Sequence, residues 1–227
     1  MEEHPEKSAC AVICVYDNGK TLRDVVTRTL AQKCAFVLVV DDGSGDCDVK
    51  ELLSSLPVTV LAHSRNRGKG AALRTAMDHL SAFPEIRWMV TLDADGQHFP
   101  EDIPLLLSGV KEKGNEKTFF IGTRDFGNAG NIPERSVTGR NLSNVLVRLE
   151  TGRKIPDTQC GMRVYPLPFA RTVMCSSGRY EWETEILVRA AWAGAEFFPV
   201  PVRVEYFTPE TRVSHFRVFR DVFRFVL

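Results

Sequence analysis

The sequence predicts a single α/β domain with a mixed, mostly parallel sheet flanked by helices, and three observations predict it. Short runs rich in β-branched residues alternate with segments whose apolar residues recur at helical spacing. Two of these runs, AFVLVV and RWMVTL, are largely apolar rather than alternating, as strands covered on both faces are, and each ends in carboxylates. The 227 residues suffice for one domain with a sizeable core.

The elements follow in order. ACAVICVY reads as the first strand and TLRDVVTRTLAQ as the first helix. AFVLVVDDGS is a second strand, DVKELLSSL a helix, VTVLAHS a third strand and AALRTAMDHLSAF a helix. RWMVTLDADG is a fourth strand, EDIPLLLSGVKEK a helix and TFFIGTR a fifth strand. After about Gly127 the rhythm changes. GNAGNIPERS reads as a turn-rich linker, GRNLSNVLVRLETG as a helix and DTQCGMRVYP as a loop with a short strand. YEWETEILVRAAWAG is a helix, EFFPVPVRVEY a strand and FRVFRDVFRFVL a closing amphipathic stretch. No internal repeat or low-complexity segment interrupts the pattern.

Composition narrows the function classes. The 29 basic residues balance 29 acidic ones, so no global field draws the chain to nucleic acid, and none is expected as a partner. The six cysteines lack C-x-x-C spacing and several lie in apolar runs, which predicts reduced thiols and a cytoplasmic location. The acidic start MEEHPEKSAC is unlike a secretory signal, and no apolar run approaches the roughly 20 residues a membrane span needs.

Ligands of open α/β sheets bind beyond the carboxyl ends of the strands, which singles out Asp41-Asp42 and Asp93-Ala94-Asp95. Carboxylates gathered there repel one another unless a cation neutralises them, and hard oxygens suit Mg²⁺ or Mn²⁺. Two residues apart, Asp93 and Asp95 share a face in extended geometry, and Gln97 adds a third oxygen. Alone, Asp41-Asp42-Gly43-Ser44 reads equally well as a turn. An EF-hand starting at Asp93 is excluded, since its sixth and twelfth positions hold His98 and Pro104. Arg67-Gly68-Lys69-Gly70 is not a P-loop, because no Ser or Thr follows Lys69.

In order, VVDDGSGD, HSRNRGKGAALRTAMDHL, TLDADGQHFPEDIP, GTRDF, DTQCGMRVYP, YEWETEILVRAAWAG and VPVRVEY closely resemble the family 2 glycosyltransferases. The branch they resemble most is the dolichyl- or polyprenyl-phosphate sugar synthases, from about Cys10 to His215. The resemblance implies a GT-A-type, Rossmann-like fold. Residues 1–127 would form the nucleotide-sugar and metal-binding half, and 128–227 the acceptor-binding half. It implies inverting transfer of a hexose from a UDP- or GDP-linked donor, with a polyprenyl or dolichyl phosphate as the expected acceptor. Asp41, Asp42, Lys69 and Asp93 match nucleotide-sugar contacts, and Asp93, Asp95 and Gln97 the family's Mg²⁺ or Mn²⁺ set. Arg124, Arg140 and Arg212, with Ser214 after it, resemble the acceptor-phosphate site. Asp95, Asp157 and Arg212 are the expected catalytic residues.

A phosphate acceptor is already anionic, whereas a hydroxyl acceptor on a glycan or glycolipid needs a base. Asp157 is the candidate base, with Glu183 and Glu185 as alternatives. On a helix these two glutamates point to different faces, so at most one enters the site, and both also read as structural. Trp182 and Trp192 read as packing residues and His98 as orienting its loop. Phe216, Phe219 and Phe223, each followed by an arginine, form a helix that either lies on a membrane as a peripheral contact through 216–227 or packs on the domain. A sugar nucleotidyltransferase would open with a glycine-rich loop where this chain reads VYDNGKTLRD. A carbohydrate- or lipid-binding module without activity would not need the whole set of Asp93, Asp95, Gln97 and Arg212.

Overall fold

The alternation of side chains along a strand decides which layer each residue enters. In the computed structural model, which describes residues 4–124 and 134–206, strand β1 (Ala9–Val15) buries Ala9, Ala11 and Ile13 on one face and Cys10 and Val12 on the other. The first face packs with α1 (Gly19–Leu30) and α4 (Ile103–Lys113), the second with α3 (Lys69–Leu80) and α7 (Trp182–Trp192). Burying one Val, Leu or Ile contributes roughly 1.5–3 kcal/mol, so apolar runs without alternation are stable only in such a central layer.

The remaining strands are β2 (Phe36–Asp41), β3 (Thr59–Ala62), β4 (Trp88–Asp93), β5 (Thr118–Arg124), β6 (Arg163–Pro166) and β7 (Glu196–Val202). They form one seven-stranded sheet in the order β3-β2-β1-β4-β6-β5-β7. Only β6 is antiparallel to its neighbours β4 and β5. The sheet is therefore mixed and mostly parallel, within a single domain. Pro199 and Pro201 lie on the edge strand β7, where a missing N–H donor is tolerated.

The structure adjusts two predicted elements. Helix α2 (Val49–Leu52) is one turn, capped where the Glu51 N–H donates to Asp48 Oδ1 at 3.0 Å, and it stops before Ser54. Helix α5 (Glu134–Thr151) begins inside the segment read as a linker. A short α6 (Leu167–Ala170) follows β6. The proposed boundary between halves, at 127/128, lies outside the described residues.

Candidate active site

The chain runs from β1 outward through β2 to β3 and then crosses back to place β4 on the other side of β1, which makes a topological switch point between β1 and β4. Val15 pairs with Asp41 and Cys14 with Asp93, so the two carboxyl ends flank β1 at roughly 10 Å, two interstrand spacings.

At the β4 end the strand stops at Asp93 and the chain turns, so Asp93 and Asp95 do not share a strand face as extended geometry predicts. The turn is held locally: Asp95 Oδ1 accepts the Gln97 N–H at 3.0 Å, and Thr21 Oγ1 donates to the Ala94 carbonyl at 2.6 Å. From the far side, the Glu205 N–H donates to the Gln97 carbonyl at 2.9 Å, beside a bridge between His98 and Val204. Asp102 fixes the same return, accepting the Arg203 backbone N–H at 2.7 Å and its guanidinium at 2.6 and 2.9 Å. His98 is buried and its Nδ1 has no hydrogen-bond partner. Burial pushes its pKa down to about 4, with Arg124 and Lys69 adding to the effect against Asp93, so the ring is neutral at pH 7.

At the β2 end the two aspartates part company. Asp41 is half-buried and accepts the Ser44 N–H at 2.9 Å. Asp42 is only 3% exposed, and its oxygens accept the Arg67 N–H at 2.9 Å and the Gly68 N–H at 2.7 Å, while His63 Nδ1 lies 2.6 Å away. Asp42 thus holds the loop that carries Lys69. Gly68 has φ +97°, and a Cβ there would fall 2.6 Å from both the Arg179 Cγ and the Gly178 carbonyl. Only glycine lets the start of α3 press onto the 178–182 turn. The Gly70 and Ala71 N–H groups donate to the Arg179 and Gly178 carbonyls, at 3.2 and 2.9 Å.

That packing directs Lys69 into the site. Its Nζ lies 2.5 Å from Asp93 Oδ1 and 2.8 Å from Glu183 Oε2. Burial opposes the charge on Lys69, yet the two carboxylates outweigh it and hold the ammonium pKa well above its ordinary value. Burial likewise works against the Asp93 charge, and Lys69 overcomes it, keeping that carboxyl below the usual range. Of the two glutamates on α7, Glu183 faces the site. Glu185 turns away, its Oε1 accepting the Ser176 N–H and its Oε2 the Ser177 N–H, each at 2.9 Å, with Arg189 Nε 2.6 Å from Oε1.

The antiparallel β6 brings its leading loop to the same edge. Gly161 lies directly against the Asp93 carboxylate, with no room for a Cβ. Arg163 is fully buried and braces this loop, donating to the carbonyls of Cys160 at 2.6 Å, Thr158 at 2.8 Å and Glu183 at 2.7 Å. Asp157, also fully buried, receives Arg124 Nε and a terminal nitrogen at 2.9 Å each, plus the Arg124 and Gln159 N–H groups at 3.3 Å. Both its oxygens are occupied by these donors. The Arg124 guanidinium also donates to the Tyr206 hydroxyl, 3.3 Å away. Arg140 stands half-buried on α5, next to Gly139, which faces Gln159. Arg212, Ser214, His215 and the 216–227 stretch lie outside the described residues.

Sequence reasoning discounted Glu183 and did not single out Arg163. The signal for Glu183 was its two-residue offset from Glu185, which leaves one glutamate for each face. Arg163 was legible only as a charge inside a short apolar strand.

Among the described residues, no three His, Cys, Asp or Glu side chains form a cation cage. Mg²⁺ and Mn²⁺ do not require one, because they take one or two carboxylates together with substrate phosphates. Asp93 and Asp95 supply hard oxygens of that kind in one turn, so the residues present fit such an ion.

A mixed sheet of this order, with paired carboxylates at its switch point, defines the GT-A class of nucleotide-sugar folds. The glycosyl transferase family 2 profile matches residues 10–173, and the chain belongs to that family and is a glycosyltransferase. An uncharacterised protein of Methanocaldococcus jannaschii is 28% identical over 198 residues, 86% of this chain and 80% of that one. The undecaprenyl-phosphate 4-deoxy-4-formamido-L-arabinose transferase of Salmonella dublin is 28% identical over 180 residues, 75% of this chain. The chain spans about half the length of that enzyme, 52%. Glucosyl-3-phosphoglycerate synthase of Mycobacterium tuberculosis, solved with Mn²⁺, UDP and glucosyl-3-phosphoglycerate, matches with a TM-score of 0.67 at 17% identity, over 91% of this chain and 75% of that one. Mannosyl-3-phosphoglycerate synthase of Rubrobacter xylanophilus matches at 0.65 and 17%, over 96% and 70%. At these identities the structures speak for the fold.

Proposed function

We propose that this glycosyltransferase moves a hexose, with inversion, from a UDP- or GDP-linked donor to a polyprenyl or dolichyl phosphate. The observation that carries the donor half of this reading is the meeting of Asp93, Lys69 and Glu183 beside the Asp95 turn, at the switch point of the sheet. Asp93, Asp95 and Gln97 would hold Mg²⁺ or Mn²⁺, which neutralises charge on the departing diphosphate. Asp41 would contact the nucleoside, while Asp42 positions the Lys69 loop. Lys69 places a positive charge next to the leaving group. Residues 1–127 serve the donor and 128–227 the acceptor in this reading, with Arg140, Arg212 and Ser214 receiving the acceptor phosphate.

Two observations support a lipid acceptor. The Salmonella relatives act on undecaprenyl phosphate by name. On α5, Leu142, Val145 and Leu149 expose 48, 54 and 78% of their surface along one side, next to a recess lined by Leu146, Val147, Gln159 and Thr184. Apolar surface of this kind suits an isoprenoid chain or a bilayer. A peripheral membrane contact through 216–227 belongs to the same reading, and no described helix is long and apolar enough to cross a membrane.

A hydroxyl acceptor remains the second reading, favoured by one observation. Glu183 Oε1 is buried without a hydrogen-bond partner, so Glu183 and not Asp157 would take the proton. The deciding experiment incubates the protein and Mn²⁺ with radiolabelled UDP-glucose or GDP-mannose and a short polyprenyl phosphate or the matching alcohol. Label on the phosphate alone is expected. Label on the alcohol alone would transfer the assignment to the second reading, and none with any donor would remove both.

A further inference from the structure

We infer that Lys69 is a built-in counter-cation that competes with the divalent metal for Asp93 and, once displaced, is retained in the site by Glu183. This rests on the donor-site reading above and adds the order in which charges change places.

Three observations carry it. The ammonium already occupies one oxygen of a proposed metal ligand, at 2.5 Å from Asp93 Oδ1. It is bound at two points, and the second, Glu183 Oε2 at 2.8 Å, lies on α7, outside the proposed metal set. Beside it, Glu183 Oε1 is a buried acceptor with no partner, so an ammonium leaving Asp93 finds a second oxygen waiting. The choice of cation fits. The chain uses arginine in the Asp157 pair, where a planar fork locks the geometry, and lysine here, a point charge on a flexible stem that can swing between acceptors. Lys69 starts α3, whose backbone is fixed against the 178–182 turn, so the motion is confined to the side chain.

Competition of this kind makes metal binding weak alone and stronger with nucleotide, whose diphosphate offers Lys69 a further partner as the metal takes Asp93. The test titrates the full chain with Mn²⁺ alone and with Mn²⁺ plus UDP or GDP, following free Mn²⁺ by electron paramagnetic resonance. Lys69→Met, checked for folding by circular dichroism, is expected to bind Mn²⁺ alone at least about tenfold tighter and to gain less from nucleotide than wild type. Arg179→Met, which removes a nearby charge outside the Asp93 contact, should shift affinity by less than about twofold. Equal tightening in both variants, or none in Lys69→Met, overturns the competition. A second measurement uses unmodified protein with isotope-labelled lysine: saturating Mg²⁺ alone should shift the Lys69 ammonium resonance in the NMR spectrum and leave that of Lys111 unchanged. No shift would overturn the inference even if Lys69→Met failed to fold. Wild type that binds no Mn²⁺ even with either nucleotide would overturn the donor-site reading itself. Nucleotide-dependent Mn²⁺ binding that Lys69→Met leaves unaltered would overturn the competition alone.

Discussion

Two buried carboxylate–cation clusters lie on the same edge of the sheet and are built differently. Asp157 is fully buried and closed: both oxygens are forked by Arg124 and backbone N–H groups complete the set. The Asp93 cluster is open: one lysine serves two carboxylates, and Glu183 Oε1 and the nearby His98 Nδ1 lack partners. A protein that leaves buried polar atoms unsatisfied accepts a cost that ligand binding can offset, whereas a saturated pair is already at rest. On the proposed function, the difference separates carboxylates that hold the fold from those that serve chemistry.

The largest expected effect comes from breaking the closed cluster. Asp157→Asn removes a fully buried charge that is forked by Arg124 and should cost about 3–5 kcal/mol in urea unfolding. A loss below about 1 kcal/mol, together with abolished sugar transfer, would return Asp157 to the role of base. Asp93→Asn should do the reverse, lowering transfer at least about 100-fold, on the order of 2.7 kcal/mol of transition-state stabilisation. Its melting temperature should barely move, because Glu183 keeps Lys69 paired. A large fall in melting temperature would mean that the open cluster is structural after all.

Asp42→Asn tests whether the second strand-end aspartate belongs with the closed kind. Losing charge on a carboxylate that accepts two backbone N–H groups should cost about 1.5–2 kcal/mol in thermal unfolding. Unchanged stability with lost nucleotide binding would restore it as a direct ligand. The smallest effect is expected at Glu185, far from the chemistry. Burial raises its pKa, but hydrogen bonds from Ser177, Ser176 and Arg189 bring it down to about 2. A carboxyl depressed in the folded state stabilises above its ordinary value near 4.5, and that contribution disappears as pH falls from there toward 2. After allowance for solvent screening, Glu185→Gln should lose about 1 kcal/mol at pH 7, with the gap to wild type closing near pH 2 and transfer unaffected.

Much of this architecture is legible in the sequence. The apolar runs 36–40 and 88–92 read as central strands, and their terminal aspartates as ligand candidates at the carboxyl edge. What sequence could not supply was the state of each carboxylate. Asp41 and Asp42 are adjacent letters, yet one is half-buried and the other is consumed by the 67–68 backbone. Asp157 looked like a base because it precedes a glycine-containing turn, and only the fold reveals the arginine 33 residues earlier that closes over it. Turn geometry at Ala94 also escaped, since the two-residue period of a strand says nothing about where the strand stops.

The reversed strand β6 has a consequence for cutting and grafting. It is inserted between β4 and β5, so strands from early and late in the chain interleave. A fragment ending near residue 127 would carry β4 and β5 with no strand between them, and each would present an open row of backbone donors and acceptors to other molecules. Such a piece would be prone to aggregate. For the same reason, the C-terminal part cannot be exchanged as a cassette. Any redesign of the loops around β6 has to leave the strand itself where it is.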